Sequence, residues 1–307
     1  MTIAFIHDEL SFLPELEAYT AFFSARGFKV RLMNKKEWQR DQNGIDVEWM
    51  MMGFDGSKRT RAIRIHDHAS SSTPPFRVIK NRLKAALNTK PDYRLFLNDY
   101  VKSCFPYEDG VPFGFRDMGI DIGMKVNSDA EKEYDFIYTG SVNADRKISQ
   151  VVNRFLLPDL AGRTLLILSR DYEHIEKEYK HYSNIIFKGP FVREELAVYL
   201  NRSRFAINYI PDLEPFNQQT STKFLEYQQF GLPVITTDYP WLRAFEKEYG
   251  GQFFKIDHSL KNLQWEQLNS FQFQSGNLNA WSWEKQIEGS GVMKFLQSRK
   301  ASLYFDF

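Results

Sequence analysis

The sequence predicts an α/β protein built of two doubly wound domains in succession, facing each other across a cleft. Short apolar runs of strand length alternate with segments whose apolar residues recur at helical spacing. That alternation lapses once, between Met118 and Glu133, and then starts again. At 307 residues the chain is long enough for two domains of ordinary size.

The elements follow in order. TIAFIH is an apolar run of strand length, and LPELEAYTAFFSARG is a helix stopped by Gly27. FKVRLM, DVEWMMMGF and AIRIH read as strands, RVIKNRLKAALN as an amphipathic helix and YRLFLND as a short strand. GIDIGMKVNSDAEKE carries Gly, Asn, Ser, Asp and charge, and reads as the interdomain linker. Beyond it, YDFIYTG, TLLILS, NIIFKG, FAINYIP and PVITTD read as strands, with RKISQVVNRFLLPDL, REELAVYLNRS and STKFLEYQQFG as helices. WSWEKQIEGSGVMKFLQSRK reads as helix broken at GSG, followed by the aromatic tail ASLYFDF. The expected domains are 1–126, 127–280 and a C-terminal helical segment, 281–307, free to pack back on the first domain. Strands separated by helices imply parallel sheets, whose ligands bind beyond the carboxyl ends of the strands.

Composition excludes several classes. Formal net charge is +1, from 40 basic and 39 acidic side chains, so no overall field favours nucleic acid. The one cysteine, Cys104, excludes an intrachain disulfide and suits a reducing compartment; it reads as a small buried hydrophobe. No apolar run approaches the roughly 20 residues that span a bilayer. MTIAFIHDEL lacks a basic leader and reads as a first strand rather than a signal peptide. The expected location is cytoplasmic, either soluble or peripheral at the inner face of the membrane.

Chemistry should come from the loops that end strands. YTGSVNADRK places Gly140 and Ser141 in a turn after a strand, with Arg146 and Lys147 at a helix start. FKGPFVREEL places Gly189 and Phe191 after another strand. A longer polar loop delivers Ser221, Thr222 and Lys223 to the start of STKFLEYQQFGLPVITTD, residues 221–238. Lys223 there is anomalous, because a helix N-terminus prefers an anion. Nor does a capping box explain Glu226, since three residues before it stands Lys223 and not Ser or Thr. A bound diphosphate would account for the lysine, joining it to the helix dipole and free backbone N–H groups, with Arg146 and Lys147 closing on the same anion. Glu226, one turn on, would then reach a ribose diol. Taken alone, Lys223 and Glu226 read equally as a solvated helix face. Phe224, Leu225, Tyr227 and Phe230 make this helix too apolar for that.

The same segment resembles the nucleotide-sugar signature of the glycosyl transferases group 1 family, retaining enzymes of the GT-B fold. In that family a Glu-x7-Glu element precedes a Gly-x-Pro-Val-Ile strand. Glu226 matches the second Glu, which the resemblance assigns to the ribose hydroxyls. Gln218 stands at the first, the position that faces the transferred sugar. YTGSVNADRK is similar to the family's diphosphate loop, and FKGPFVREEL to its base-binding loop. The likeness covers roughly residues 134 to 240. It implies a GT-B glycosyltransferase, a hexosyltransferase moving sugar from a nucleoside-diphosphate donor to a hydroxyl of a carbohydrate acceptor, with polysaccharide or lipopolysaccharide biosynthesis as the setting. A UDP-sugar is the natural donor guess, and no metal or other cofactor is implied, since no Asp-x-Asp pattern stands out. Alternatives are an inverting transferase, a nucleotide-sugar epimerase and a non-catalytic nucleotide-sugar-binding protein.

The first domain offers two polar strand ends expected to face the cleft. HDEL carries Asp8, and IHDHASSST carries His66, Asp67 and His68. A His or Asp there could serve as general base on an acceptor hydroxyl or steady developing charge. His66 and His68 align on one face of an extended strand and could also ligate a metal, but no partner pair completes such a site. Simple polar capping of a strand end is the plain alternative. Finally, 76–94 carries Arg77, Lys80, Arg82, Lys84, Lys90 and Arg94 around Phe76, Val78, Ile79, Leu83 and Leu87. It reads either as a helix lying on an anionic membrane, where a lipid-linked saccharide acceptor would be found, or as a core-packed helix with a solvated basic face.

Overall fold

The computed structural model of the protein describes residues 1–8, 13–121, 126–127, 129–189 and 193–303. Phe191, Glu9 and Leu10 of HDEL, linker residues 122–125 and 128, and the tail 304–307 lie outside the described residues. Contacts divide the chain into two units, Met1–Asp121 with Ala280–Phe307, and Ile122–Asn279.

In unit 1 the elements are β1 (Thr2–His7), α1 (Glu15–Ala25), β2 (Lys29–Asn34), α2 (Lys35–Arg40), β3 (Val47–Met51), β4 (Ile63–His68), α3 (Arg77–Leu87), β5 (Tyr93–Phe96), α4 (Asp99–Ser103) and β6 (Phe113–Phe115). Unit 2 carries β7 (Tyr134–Thr139), α5 (Ile148–Arg154), β8 (Leu165–Leu168), α6 (Glu173–Tyr179), β9 (Ile185–Lys188), α7 (Arg193–Asn201), β10 (Ser203–Asn208), α8 (Thr222–Gln229), β11 (Val234–Thr237), α9 (Pro240–Tyr249), β12 (Phe254–Ile256) and α10 (Trp265–Ser270). The chain then returns to unit 1 as α11 (Trp283–Gly289) and α12 (Val292–Leu303), which part at Gly291, a residue with φ of 74°.

Each unit is a six-stranded sheet, ordered β2-β1-β3-β4-β5-β6 in the first and β12-β11-β10-β7-β8-β9 in the second. All ten strand pairings are parallel. Parallel sheets are covered on both faces, which explains why Leu165–Leu168 and Ile3–Ile6 read as continuous apolar runs and are wholly buried. In unit 1 one sheet face packs Phe5, Trp49 and Ile65 against Tyr19 and Phe23 of α1 and against Ile287, Val292 and Leu296 of the returning helices. Arg26 reaches Glu284 and Glu288 at 2.8 Å each, and the Tyr93 hydroxyl donates to the Ser290 carbonyl. In unit 2 the core joins Phe136 and Tyr138 to Val151, Val152 and Phe155 of α5 and to Ile207 and Ile235.

Strand order reverses once in each sheet, between β1 and β3 and between β7 and β10. Helices leave to opposite faces at such a point, opening a crevice beyond the strand ends. These two places are where each unit can hold a ligand.

One helix departs from the core-packed expectation. Asn81 of α3 is buried, and its side chain accepts the Ser72 backbone N–H at 3.0 Å. Ile79, Leu83 and Leu87 are instead exposed. The amphipathic pattern is real, but the apolar side points outward.

Candidate functional site

The unit 2 switch point collects most of the residues singled out in the sequence. β10 ends at Asn208, whose side chain accepts the Ser221 hydroxyl at 2.7 Å and donates to Thr236 and Tyr239. Ser221 is the N-cap of α8 and its Oγ also accepts the Phe224 N–H, at 3.4 Å. The cap therefore ties the start of α8 to the tip of β10, a structural task beyond the anion contact expected of Ser221. From the other side, the Tyr227 hydroxyl accepts the Thr139 N–H at 2.8 Å and fixes α8 against the end of β7. Both ties use polar atoms that are buried, so the helix start is held in one place.

Thr222 and Lys223 occupy the first two helical positions. Among the described residues their backbone N–H groups have no hydrogen-bond partner. They point where the helix dipole favours negative charge. The Lys223 ammonium lies 4.1 Å from the centroid of the Tyr138 ring. Gly140, at φ of 116°, leaves room beside it, since a Cβ there would stand 3.8 Å from Lys223 Nζ. Burial, then the nearby Arg146 guanidinium, pushes the Lys223 ammonium well below its usual pKa, and Glu226 only partly opposes them.

Arg146 closes the 3-10 turn Ala144–Arg146 and stacks over Phe216, with Cζ 4.0 Å from the ring centroid. Burial lowers its pKa as well. Among the described residues no carboxylate lies within 4.0 Å of either cation. Two half-buried, mutually repelling cations beside free helix N–H groups are an arrangement that an anion of more than one charge relieves. Lys147, exposed and at φ of 54°, caps α5 in the left-handed region that a lysine seldom adopts. Ser141 is exposed; its carbonyl accepts the Tyr138 hydroxyl and its Oγ accepts the Asn143 N–H. Glu226 is half-buried one turn along α8, and Gln218 is half-buried in the 3-10 turn Phe216–Gln218.

Gly189 stands apart from the ligand question. A Cβ there would fall 1.9 Å from the Ser169 carbonyl oxygen, so this glycine is needed for the close approach of the chain after β9 to the end of β8. Tyr138, Asn208 and Phe216 were not singled out in the sequence. Tyr138 and Asn208 sit in strands whose alternation marks them only as inward, and the Arg146–Phe216 stack joins residues 70 positions apart.

The unit 1 residues are not where the sequence suggested. β4 runs through His68, so His66 and His68 lie inside the strand and not beyond it, at 0% and 2% exposure. Their expected placement facing open space is corrected. His66 Nε2 pairs with Asp55 at 3.0 Å, and the His68 ring stacks on Phe96. Burial lowers both imidazole pKa values, that of His68 well below the usual range. On the opposite face Asp67 receives Arg116, the Tyr19 hydroxyl and the Trp49 indole. On the His66 side, Arg64 binds Glu48 at 2.6 Å and Asp55 at 3.2 Å. Strand alternation thus puts one charged network on each side of β4, and both are buried. Asp8 alone is exposed, beyond β1 at the unit 1 switch point, with Lys35 3.2 Å away. Among the described residues no group of three or more His, Cys, Asp or Glu side chains is placed to hold a metal ion.

No protein-family model and no curated protein sequence matches the chain. Solved structures do. A glycosyltransferase involved in avilamycin A biosynthesis superposes with a TM-score of 0.59 at 14% identity, covering 96% of both chains. Sucrose-phosphate synthase from Thermosynechococcus elongatus gives 0.61 at 10% identity, over 99% of this chain and 98% of that one. A UDP-forming α,α-trehalose-phosphate synthase from Burkholderia vietnamiensis gives 0.57 at 10% identity, over 83% and 72%. At these identities the likeness concerns the fold: two Rossmann-like α/β units, as in the GT-B glycosyltransferases.

Proposed function

We propose that the protein is a glycosyltransferase that moves a sugar from a nucleoside-diphosphate donor to a hydroxyl of a carbohydrate acceptor. One observation carries the reading: among the described residues Lys223 and Arg146 have no carboxylate within 4.0 Å and stand beside N–H groups of α8 that have no partner, at the point where strand order reverses. In this reading the diphosphate lies across the mouth of α8, held by Lys223, Arg146, Lys147 and the N–H groups of Thr222 and Lys223. Glu226 takes the ribose diol, and Gln218 faces the transferred sugar. The bond from the sugar's anomeric carbon to the diphosphate breaks, and a bond to the acceptor oxygen forms. The acceptor proton leaves on the diphosphate, with the anomeric configuration retained. The cations act on the charge that grows on the departing diphosphate, where fixed positive groups are most effective. They would do the work of a divalent metal, so the reaction is proposed to run without one. Of the unit 1 residues singled out in the sequence, Asp8 is exposed, and it is the one proposed to meet the acceptor. A UDP-sugar is the first donor to try, and a lipid-linked saccharide is within the proposed acceptor class.

The test is turnover of nucleotide sugars in EDTA, with and without candidate acceptors. The proposal expects nucleoside diphosphate to appear only with acceptor present and to resist chelation. Isomerisation of donor alone would favour an epimerase, and activity lost in EDTA and restored by manganese would refute the metal-free reading.

A further inference from the structure

We infer that α3 is a docking surface for an anionic lipid bilayer. A helix on a globular unit normally turns its apolar stripe to the core. Here Phe76, Val78, Ile79, Leu83 and Leu87 are 72, 51, 57, 53 and 60% exposed. The side that faces the protein is polar. Asn81 is buried against Ser72, and the Lys84 pKa is lowered by burial first, then by Lys80 and Lys35. The inversion has a local cause, because the inward position is held by the Asn81 side chain accepting the buried Ser72 N–H, a contact that an apolar side chain there would leave unmade. Exposure of the stripe is therefore built into the packing.

Charge selects the occupant. From His68 to Pro91 the chain has no Asp or Glu but carries Arg77, Lys80, Arg82, Lys84 and Lys90, in a protein whose net charge is only +1. Helical spacing sets Arg82 and Lys80 on the two flanks of the Ile79–Leu83–Leu87 row, and both are exposed. Apolar residues between cationic borders suit the boundary of acyl chains and acidic headgroups, with long basic side chains reaching back to phosphates. A second copy fits poorly, since a two-fold contact would set these like charges against one another. No helix among the described residues is long and apolar enough to cross a membrane, so the attachment is to the surface.

Sedimentation of the full chain with vesicles tests this. Binding is expected to vesicles containing phosphatidylglycerol, to weaken with added salt, and to be much weaker with phosphatidylcholine alone. Lys80→Gln with Arg82→Gln should lower partitioning about 30-fold, at roughly fivefold per charge. Ile79→Glu with Leu83→Glu should abolish it without altering the thermal midpoint, since both side chains already face water. Equal binding to neutral vesicles, binding that survives both variants, or a concentration-dependent dimer broken by Ile79→Glu with Leu83→Glu would overturn the inference. Donor binding, which belongs to unit 2, stands or falls separately.

Discussion

Replacing Lys223 by Met should move stability and affinity in opposite directions. The lysine is half-buried over the Tyr138 ring, close to Arg146, and without a carboxylate within 4.0 Å among the described residues. A base whose pKa is depressed by folding binds its proton less well in the folded chain than in the unfolded one. Between the folded value and the ordinary 10.5, the unfolded chain holds the extra proton, so stability rises with pH across that window. Below that window the empty site carries the full penalty and within it a part, and Lys223→Met removes it. Methionine reaches as far as the lysine Cε and accepts the aromatic surroundings, so the unliganded variant should melt higher than the parent. Affinity should fall. A hydrogen bond from an ammonium to phosphate oxygen is worth about 1.5–3 kcal/mol, which is roughly a 10- to 150-fold loss for a nucleoside diphosphate. At a pH inside that window the parent should also take up protons on binding, because the anion favours the ammonium, and its affinity should decline as pH climbs past the unliganded lysine's pKa. Thermal melts and titration calorimetry in two buffers of different ionisation heat measure all of this. A variant that melts lower and binds diphosphate as well as the parent would show that Lys223 is a structural group, and the reasoning would fail.

Other consequences are smaller. Glu226→Gln should weaken a nucleoside diphosphate by about 10- to 150-fold without weakening inorganic diphosphate, which gains from loss of a nearby negative charge, a difference that separates ribose contact from general electrostatics. Gly189→Ala should destabilise unit 2 by more than about 1 kcal/mol, read as a lower denaturation midpoint, because its Cβ would strike the Ser169 carbonyl. Acid should unfold unit 1 early. His66 and His68 are held neutral by burial, so below about pH 6.5 the unfolded chain takes protons that the fold refuses, each adding up to about 1.4 kcal/mol of loss per pH unit. Hydrogen bonding to Arg94 holds Asp109 near a pKa of about 2, which extends the loss below pH 4. Urea midpoints between pH 5 and 7.5 measure the histidine part, and His68→Phe, whose ring can keep the stack on Phe96, should flatten the slope.

What could be read from the sequence divides along physical lines. TLLILS, YDFIYTG and PVITTD are legible because strands covered on both faces must be apolar throughout, and each lies where expected. The lysine at the head of α8 is legible as an anomaly, and among the described residues no carboxylate lies within 4.0 Å of it. Periodicity shows that α3 has two faces but cannot say which one turns inward; that depends on the bond between Asn81 and the Ser72 N–H, nine positions away in the loop after β4. IHDHASSST is ambiguous for a related reason. A buried strand normally excludes charge, and the pairs that neutralise it here, Arg64 with Glu48 and Asp67 with Arg116, join residues 16 and 49 positions apart. Short elements such as β12, three residues, and α10, six, span too few positions for any periodicity to register.

The account rests on an anion being gripped at the start of α8. Amide hydrogen exchange of the full chain with and without a nucleoside diphosphate, in EDTA, reads this position directly. Slowed exchange is predicted at Gly140–Lys147 and at Thr222–Lys223. Binding that leaves those amides unchanged, or that slows exchange only elsewhere, would contradict it.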